Sequence, residues 1–179
     1  QHKRDALFNY AQLTYELESD PYINAIGALQ EFLEKYPDSQ KITQARQYLV
    51  SLYFSTKNFK KALESIESLS YLSPDLEKAY QKIMYSRAIE LFNDNHYGES
   101  SQLFKKAIVK NQDPGVTALS RFWLAETYYR QSDYEEAIKL FEKFLSSRGA
   151  FSLPEYAKAH YNVAYAYFKQ KDYNNALDN

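Results

Sequence analysis

The chain of 179 residues has no cysteine, only four glycines and five prolines, and a single methionine. Without cysteine there is no disulfide framework, no thiolate metal site and no thiol nucleophile. The four glycines stand apart from one another, so the sequence lacks the glycine-rich loop that cradles a phosphate group. This shortage of turn-forming residues predicts helices joined by short connections.

The sequence also lacks an excess of either charge. It has 22 Lys and Arg and 23 Asp and Glu, which give a net charge of −1. Proteins that bind nucleic acids usually carry a basic excess, because contacts with phosphates dominate their affinity. We therefore expect no nucleic-acid partner. The apolar runs are too short to span a bilayer, so no membrane span is predicted either.

The ends of the chain suggest that more protein surrounds it. The sequence begins with Gln1, its only methionine is the internal Met84, and it stops at Asn179, shortly after the start of a helical pattern. We expect it to be a processed or excised segment of a longer protein. The lack of a visible leader peptide is then uninformative.

Aromatic residues are abundant, with 18 Tyr, 11 Phe and one Trp, and they recur with a period. A ring followed three residues later by a small residue occurs at Tyr22 and Ala25, Phe59 and Ala62, Tyr97 and Ser100, Tyr134 and Ala137, and Tyr173 and Ala176. The small residues lie 37, 38, 37 and 39 positions apart. Apolar residues four and seven positions after the first four of them are typical of an amphipathic helix. Because a second helical pattern precedes each ring, each repeat is predicted to be a helix hairpin.

The pattern predicts helices near 3–18, 21–35, 39–56, 58–71, 74–93, 96–110, 114–131, 133–147, 153–170 and from 172 onward. Asp20, Ser73 and Asp113 each precede a proline and are predicted to cap helices that begin with that proline. Ser132 with Glu135, and Ser152 with Glu155, have the spacing of a capping box.

Three repeats carry residues that match a known family. The matching positions are Leu49, Tyr53, Phe59, Ala62 and Pro74, then Leu124, Ala125, Tyr128, Asp133, Tyr134, Ala137 and Phe141, and finally Val163, Ala164, Tyr167, Asp172, Tyr173 and Ala176. On these residues the chain resembles a tetratricopeptide repeat array. The resemblance implies an all-α fold, a right-handed superhelical solenoid of antiparallel helix hairpins. Its single domain would hold about five repeats, at residues 3–37, 38–73, 74–112, 113–150 and, truncated, 151–179.

The connector between the first two repeats suggests a narrower resemblance. Residues 32–39, Phe-Leu-Glu-Lys-Tyr-Pro-Asp-Ser, are similar to connectors of bacterial envelope repeat proteins, the outer-membrane assembly lipoprotein and the Tol-Pal-associated periplasmic type. This resemblance implies a periplasmic or envelope-associated location in a bacterium. The cytoplasm remains the alternative.

The search for reactive groups predicts no catalytic site. His2, His96 and His160 are far apart in sequence and have no carboxylate or histidine at the spacing of metal ligands. No nucleophile motif or cofactor-binding loop occurs. We therefore expect a protein that is not an enzyme and has no cofactor and no metal.

The concave groove of the solenoid is the candidate binding site. In the family, the fifth, ninth, twelfth and thirteenth residues of each first helix line that groove. Carried over to the second half of this chain, the partner-binding positions are Tyr85, Phe92, Phe122, Glu126, Tyr129, Arg130, Tyr161, Tyr165, Phe168 and Lys169. Exposed rings often carry binding energy, but rings at helical spacing also pack against a neighbouring repeat, and both interpretations stay open.

Three functions fit this sequence. The first is a non-catalytic scaffold that binds a peptide or helix of a protein partner in the aromatic groove. The second is a glycan-binding envelope module, which needs polar groups such as Asn93, Glu126 and Arg130 beside the rings. The third is a structural spacer, or a segment that associates with itself through the uncapped C-terminal repeat.

Overall fold

Ten α-helices and one short 3-10 turn make up the part of the chain that the structure describes, and this part contains no strand. The structure is a computed structural model that describes residues 2–16 and 22–178, with side chains for 2–13 and 25–178. The helices are α1 (His2–Glu16), α2 (Tyr22–Lys35), α3 (Ile42–Ser55), α4 (Phe59–Glu67), α5 (Pro74–Asn93), α6 (Tyr97–Lys110), α7 (Pro114–Arg130), α8 (Tyr134–Leu145), α9 (Glu155–Lys169) and α10 (Tyr173–Leu177), and the 3-10 turn is Ala150–Ser152. The predicted all-α fold is confirmed.

The chain divides into two compact units. The N-terminal unit is Gln1–Leu76 and the C-terminal unit is Glu77–Asn179, with the boundary in the first turn of α5. The N-terminal unit contains α1 to α4, and the C-terminal unit contains the rest of α5 and the helices that follow it. The finer division into five repeats stays a prediction.

Several helix ends differ from the prediction for local reasons. The fourth helix ends at Glu67 rather than near residue 71, where the N–H of Ser68 donates to the carbonyl of Glu64 and the N–H of Leu69 donates to that of Ile66. The proposed capping box at Ser132 is wrong, because Asp133 is the cap and accepts from the N–H of Glu136. The capping box at Ser152 is wrong as well, because α9 has no side-chain cap.

The proline-associated caps at Ser73 and Asp113 are confirmed, and the one predicted at Asp20 lies outside the described residues. Asp113 accepts hydrogen bonds from the N–H groups of Gly115 and Val116, at 2.9 and 3.2 Å. Ser73 accepts one from the N–H of Leu76 at 3.4 Å. Parts of the first predicted pair of helices, residues 17–18 and 21, lie outside the described residues, as does the side chain of Tyr22.

Four hairpins close with the same turn, although none of them has a glycine there. The second residue after the first helix is left-handed in each, with φ values of 57° at Lys57, 61° at Asn95, 64° at Ser132 and 63° at Lys171. The next N–H then donates to the carbonyl five residues earlier, as Asp133 does to Tyr128 at 2.9 Å. This is the Schellman closure, which satisfies the last carbonyls of a helix.

The small residues of the repeat lie where two helices approach each other. Ala25, Ala62, Ser100 and Ala137 are all fully buried. Ser100 also donates its hydroxyl to the carbonyl of Ala88 at 2.9 Å, so its polar atom is satisfied inside the hairpin. A larger side chain at these positions would overpack the contact between the helices.

Each unit buries the rings of one hairpin under the next helix. In the N-terminal unit, Phe8 of α1 packs on Phe32 of α2 and on Tyr48 of α3, with ring centroids 5.3 and 6.2 Å apart. In the C-terminal unit, Phe122, Phe141 and Phe144 of α7 and α8 form one core cluster with Ala159 and Val163 of α9. Burial of apolar surface under the following helix therefore stabilises each stack.

A buried glutamine holds the connection between α6 and α7. The amide of Gln81, on α5, donates to the carbonyl of Ala107 at 2.9 Å and to the hydroxyl of Thr117 at 2.8 Å. Its carbonyl accepts from the N–H groups of Gln112 and Asp113, at 2.9 and 2.7 Å. Four good partners offset the cost of burying this polar side chain.

The left-handed turns generate a stability prediction. Ser132→Gly should raise the free energy of unfolding by about 1 kcal/mol, because glycine adopts a positive φ without the steric cost of a side chain. Lys106→Gly, at an exposed position within α6, is the control and should lower it by about 1 kcal/mol. Urea unfolding followed by circular dichroism measures both. Equal losses in the two variants would show that the turn at Ser132 carries no strain.

Candidate protein-interaction surface

The ten predicted groove residues fall into three environments. Phe92, Phe122 and Glu126 are buried, Tyr85 and Tyr129 are half-buried, and Arg130, Tyr161, Tyr165, Phe168 and Lys169 are exposed. The exposed and half-buried members other than Tyr85 come from α7 and α9 and lie at the C-terminal end of the second unit. The structure therefore brings only part of the predicted set together on an accessible surface.

Phe122 is a core residue, and the expectation that its ring faces a ligand is wrong. Its side chain is 0% exposed, and its ring centroid lies 5.6 Å from that of Phe141 and 5.3 Å from that of Phe144. The ring is covered because α9 packs over the hairpin of α7 and α8. This is the interpretation in which a ring at helical spacing packs against the neighbouring repeat.

Glu126 is also buried, and its carboxylate is already paired. It accepts a hydrogen bond from the amide of Asn162, and the ammonium of Lys158 lies 3.3 Å from the same oxygen. Both partners belong to α9, so the carboxylate joins two successive repeats. A buried charge needs such partners, which leaves Glu126 unavailable to a ligand.

Three of the predicted rings stack over the turn of their own hairpin. Phe92 packs on Tyr97, Tyr129 on Tyr134 and Phe168 on Tyr173, with centroids 5.4, 5.6 and 5.7 Å apart. Phe54 and Phe59 form the same pair at 5.6 Å in the N-terminal unit. Phe92 is buried because Trp123 of α7 also contacts it, at 5.2 Å. Such pairs contribute about 0.5–1.5 kcal/mol beyond the area that they bury.

Tyr85 lies apart from the exposed rings. Its ring centroid is 6.1 Å from that of Phe104, on the second helix of its own hairpin. Burial raises the pKa of its phenol to about 12, the negative charge of Glu155 adds to this, and a hydrogen bond with Trp123 acts in the opposite direction. The phenol thus stays neutral well above physiological pH.

The exposed rings form one surface, which we call the C-terminal aromatic surface. It encloses a cavity of about 400 Å³ on α9 and α10. The cavity is lined by Tyr161, Ala164, Tyr165, Phe168, Tyr173, Ala176 and Leu177. The lining is almost entirely apolar, and the ring centroids of Tyr161, Tyr165 and Phe168 follow one another at 6.3 and 6.1 Å.

The preceding hairpin explains why this surface is exposed. Tyr161, Tyr165 and Leu177 stand 39 positions after Phe122, Glu126 and Ile138, at the same places of the repeat. Phe122 and Ile138 are 0% and 6% exposed, whereas Tyr161 and Leu177 are 66% and 86% exposed. The difference arises because α9 covers the α7–α8 hairpin, and no described helix covers the α9–α10 hairpin.

Tyr129 and Lys169 border the C-terminal aromatic surface. The ring centroid of Tyr129 is 6.2 Å from that of Tyr165, and burial, followed by the neighbouring phenols, raises the pKa of Tyr129 to about 12. The ammonium of Lys169 lies 5.1 Å from the Tyr165 ring centroid, and its hydrogen bond with the Tyr165 hydroxyl raises the pKa of Lys169. Lys169 and the exposed Arg130 make this border positive.

Four residues of the lining are absent from the predicted set, the half-buried Ala164 and Ala176 and the exposed Tyr173 and Leu177. The repeat pattern identifies Tyr173 only as the ring three residues before the small residue Ala176, and Leu177 follows Ala176 directly. Tyr173 and Leu177 are exposed, although α9 packs on α10, because no further described helix covers them. The repeat alignment held the necessary signal, since Tyr134 and Ile138 occupy the matching places on α8.

A second, larger cavity lies on α5 and α6. It measures about 640 Å³ and is lined by Glu77, Tyr80, Met84, Lys105, Lys106, Val109, Lys110 and Gln112. An ion pair joins Glu77 and Lys110, and three lysines surround the apolar floor. Residues 2–16 and 22–178 hold no group of three or more His, Asp or Glu side chains that could bind a metal ion.

The burial of Phe122 gives a prediction with an internal control. Phe122→Ala should lower the free energy of unfolding of the C-terminal unit by about 3–5 kcal/mol, because it leaves a cavity under α9. Tyr161→Ala, at the matching exposed position, should change it by only about 0.5 kcal/mol. Urea unfolding followed by circular dichroism measures both, and equal effects would contradict the assigned burial.

The two raised phenol pKa values predict a loss of stability in alkaline solution. A tyrosine ionises near pH 10 in the unfolded chain but near 12 at Tyr85 and Tyr129, so the fold favours the neutral phenols. Their contribution is complete below about pH 10 and is lost as the pH rises towards 12. In the Tyr85→Phe, Tyr129→Phe double variant, the urea midpoint should fall less steeply over this range. A fall identical to that of the parent chain would contradict the prediction.

Two further findings are negative. None of the helices in the described ranges combines the length and the apolar character needed to cross a membrane. A search of curated protein sequences finds no significant match.

Solved structures resemble the fold at low sequence identity. MamA superposes with a TM-score of 0.55 at 20% identity, over 88% of this chain and 84% of that chain. YrrB, described as a TPR protein with an unusual peptide-binding site, gives 0.55 at 16% identity, over 96% of this chain and 80% of that chain. The apo form of RapI gives a TM-score of 0.61 at 16% sequence identity, over 87% of this chain and 46% of that chain. At these identities the likeness shows the fold alone.

Matches to family models identify the family, because they compare the sequence itself. One model described as tetratricopeptide repeat matches residues 85–150 and 124–178, which together span more than half of the chain. A second model with the same description matches residues 5–39. Together with the paired helices and the buried small residues of the repeat, these matches show that the chain belongs to the tetratricopeptide repeat family.

Proposed function

We propose that the chain is a non-catalytic protein-interaction module that binds a helix of a protein partner on the C-terminal aromatic surface. The observation that carries the proposal is the exposure of Tyr161, Phe168 and Leu177 on one continuous apolar surface. Exposed contiguous apolar patches of this kind mark interaction sites. Of the predicted groove residues, Tyr161, Tyr165, Phe168 and Lys169 stay in the site, with Tyr129 and Arg130 at its border.

The preceding hairpin of the same chain shows which kind of helix covers such a surface. On the preceding hairpin the matching surface is covered by a helix, α9, whose contacting residues include Ala159 and Val163. Small and β-branched side chains allow the backbone of the covering helix to approach the rings closely. A helix with such a stripe, at positions i and i+4, therefore fits the C-terminal aromatic surface better than an extended peptide does.

Ring chemistry supports a role in protein binding. Tyrosine and phenylalanine present a large contact area at a small cost in conformational entropy, and such rings often dominate binding energy. The positive border of Lys169 and Arg130 favours an acidic residue on the flank of the ligand helix. A peptide-binding site described for the structural neighbour YrrB is consistent with this class of function.

The alternative of a glycan-binding module finds less support. Sugar binding needs hydrogen-bonding groups beside the rings. Glu126 is one of the groups predicted for this role, but it is buried and paired with Asn162 and Lys158. The lining of the C-terminal aromatic surface is almost wholly apolar. A periplasmic or envelope-associated location remains a prediction, with the cytoplasm as the alternative.

A helical probe tests the proposal. The probe is a labelled peptide of residues 155–169, the segment that covers the matching surface of the preceding hairpin. Fluorescence anisotropy should show that it binds the full chain and that Tyr161→Ala with Phe168→Ala weakens binding at least about tenfold, since loss of each contact ring costs about 1 kcal/mol or more.

Two controls make the result specific. A double variant at exposed rings elsewhere, Tyr71→Ala with Phe151→Ala, should bind the peptide as the parent chain does. A peptide with Val163→Asp should not bind, because it places a charge against the rings. Equal affinity of the parent and the Tyr161, Phe168 variant would overturn the proposed site.

A further inference from the structure

We infer that the cavity on α5 and α6 binds an acidic segment of a protein partner. The segment inserts one large apolar side chain between Met84 and Val109 and places its carboxylates against Lys105 and Lys106. This site shares no residue with the C-terminal aromatic surface, so it goes beyond the proposed function.

The turns of three successive hairpins show which residues hold the same place in the repeat. The left-handed residues Lys57, Asn95 and Ser132 lie 38 and 37 positions apart. Met84 of α5 therefore holds the place of Arg46 in α3 and of Arg121 in α7.

An arginine bridges the two helices at this place in both of the other hairpins. The guanidinium of Arg46 donates to the carbonyl of Ser68, directly after α4, at 2.9 Å. The guanidinium of Arg121 donates to the hydroxyl of Ser147, just after α8, at 3.1 Å. The thioether of Met84 has no hydrogen to donate, so α5 cannot form this bridge to the end of α6.

The place that the arginine fills elsewhere is a large cavity in the α5–α6 hairpin. The matching cavity beside Arg121 measures about 120 Å³, whereas the one beside Met84 measures about 640 Å³. Ligand sites typically measure about 300–1,000 Å³. Met84 and the half-buried Tyr80 form an apolar floor, and Val109, which is 83% exposed, stands at the rim. The cavity can therefore take up a large apolar side chain.

The charge at the rim is inverted relative to the following hairpin. There, Glu142 holds the place of Lys105 and accepts a hydrogen bond from the hydroxyl of Tyr167 at 3.1 Å. The ammonium of Lys105 lies 5.4 Å from the ring centroid of Tyr128, the residue that matches Tyr167. The exchange keeps a contact with the next first helix and changes the sign of the charge beside the cavity.

Two of the three lysines of the cavity are available to an anion. Lys110 pairs with Glu77 and lies 5.0 Å from the ring centroid of Tyr80, so its charge is already neutralised. Within residues 2–16 and 22–178, no carboxylate pairs with Lys105 or Lys106. Two such ammonium groups beside an apolar floor complement a segment in which acidic residues flank an apolar one.

The open rim favours a protein segment over a free small molecule. Lys105, Lys106 and Val109 are all exposed, so the cavity faces solvent. Sites for small molecules bury most of the surface of their ligand. An open cavity suits a ligand that brings covering surface of its own, as a segment of a protein does.

Acidic peptides with one apolar residue test the site. The probes are labelled peptides of glutamate with a single central phenylalanine, leucine or tryptophan, and the control peptide has a central glycine. Fluorescence anisotropy with the full chain should show saturable binding of at least one probe. The glycine peptide should bind at least about tenfold more weakly, because it lacks the apolar anchor. Added salt should weaken binding, since both lysines are exposed.

Two substitutions give the cavity the side chains of the following hairpin. Lys105→Glu, after Glu142, should weaken binding of the probe at least about tenfold, because it reverses a charge at the contact. Val109→Ser, after Ser146, should remove most of the preference for the probe over the glycine peptide. Both positions are exposed, so both variants should keep the helical circular dichroism of the parent. Lys143→Glu, the same change of charge at the place of Lys106 on α8, is the control and should bind as the parent chain does.

The remaining outcomes overturn the inference. If no probe binds, or if Lys105→Glu and Lys143→Glu lose affinity equally, the cavity does not recognise acidic segments. Loss of probe binding in the Tyr161→Ala, Phe168→Ala variant would place the probe on the C-terminal aromatic surface instead. If laurate binds the parent chain and not Lys105→Glu while no probe binds, the cavity is a site for a free fatty acid.

Discussion

The structure depends on one constraint: a hairpin of two short helices leaves an aromatic face that only another helix can cover. Phe8 in the N-terminal unit and Phe122 in the C-terminal unit are each buried by the helix that follows their hairpin. Because burial comes from the neighbour, the stability of each hairpin is shared across an interface. Glu126, with Asn162 and Lys158, adds a polar link across the same interface.

A second recurring feature allows the two helices of a hairpin to be joined by a short connection. The left-handed residue after the first helix turns the chain back within a few residues, and the ring pair across the turn, such as Tyr129 with Tyr134, holds the two helices together. Lys57, Asn95, Ser132 and Lys171 occupy the left-handed position. The sequence can therefore be poor in glycine and still form tight connections, because the helix-capping hydrogen bonds offset the local strain.

The period of the small residues was enough to predict the hairpins, because close helix packing excludes large side chains at Ala62 or Ala137. The same pattern did not separate covered rings from exposed ones. Phe122 and Tyr161 have matching places in the repeat, and only the presence of a following helix distinguishes them. The hydrogen bonds of Gln81 join residues 26 to 36 positions apart, and no local pattern carries that information.

The chemistry of the C-terminal aromatic surface differs from that of the covered hairpin before it. The place of the fully buried Phe122 is taken by Tyr161, and that of the paired Glu126 by Tyr165. A tyrosine hydroxyl is hydrated when the surface is open and can donate or accept a hydrogen bond when a helix covers it, so neither state leaves a buried unpaired charge. A carboxylate in the place of Tyr165 would need a fixed cationic partner in the covered state. With a phenol in the place of Glu126, the proposed site needs no such partner.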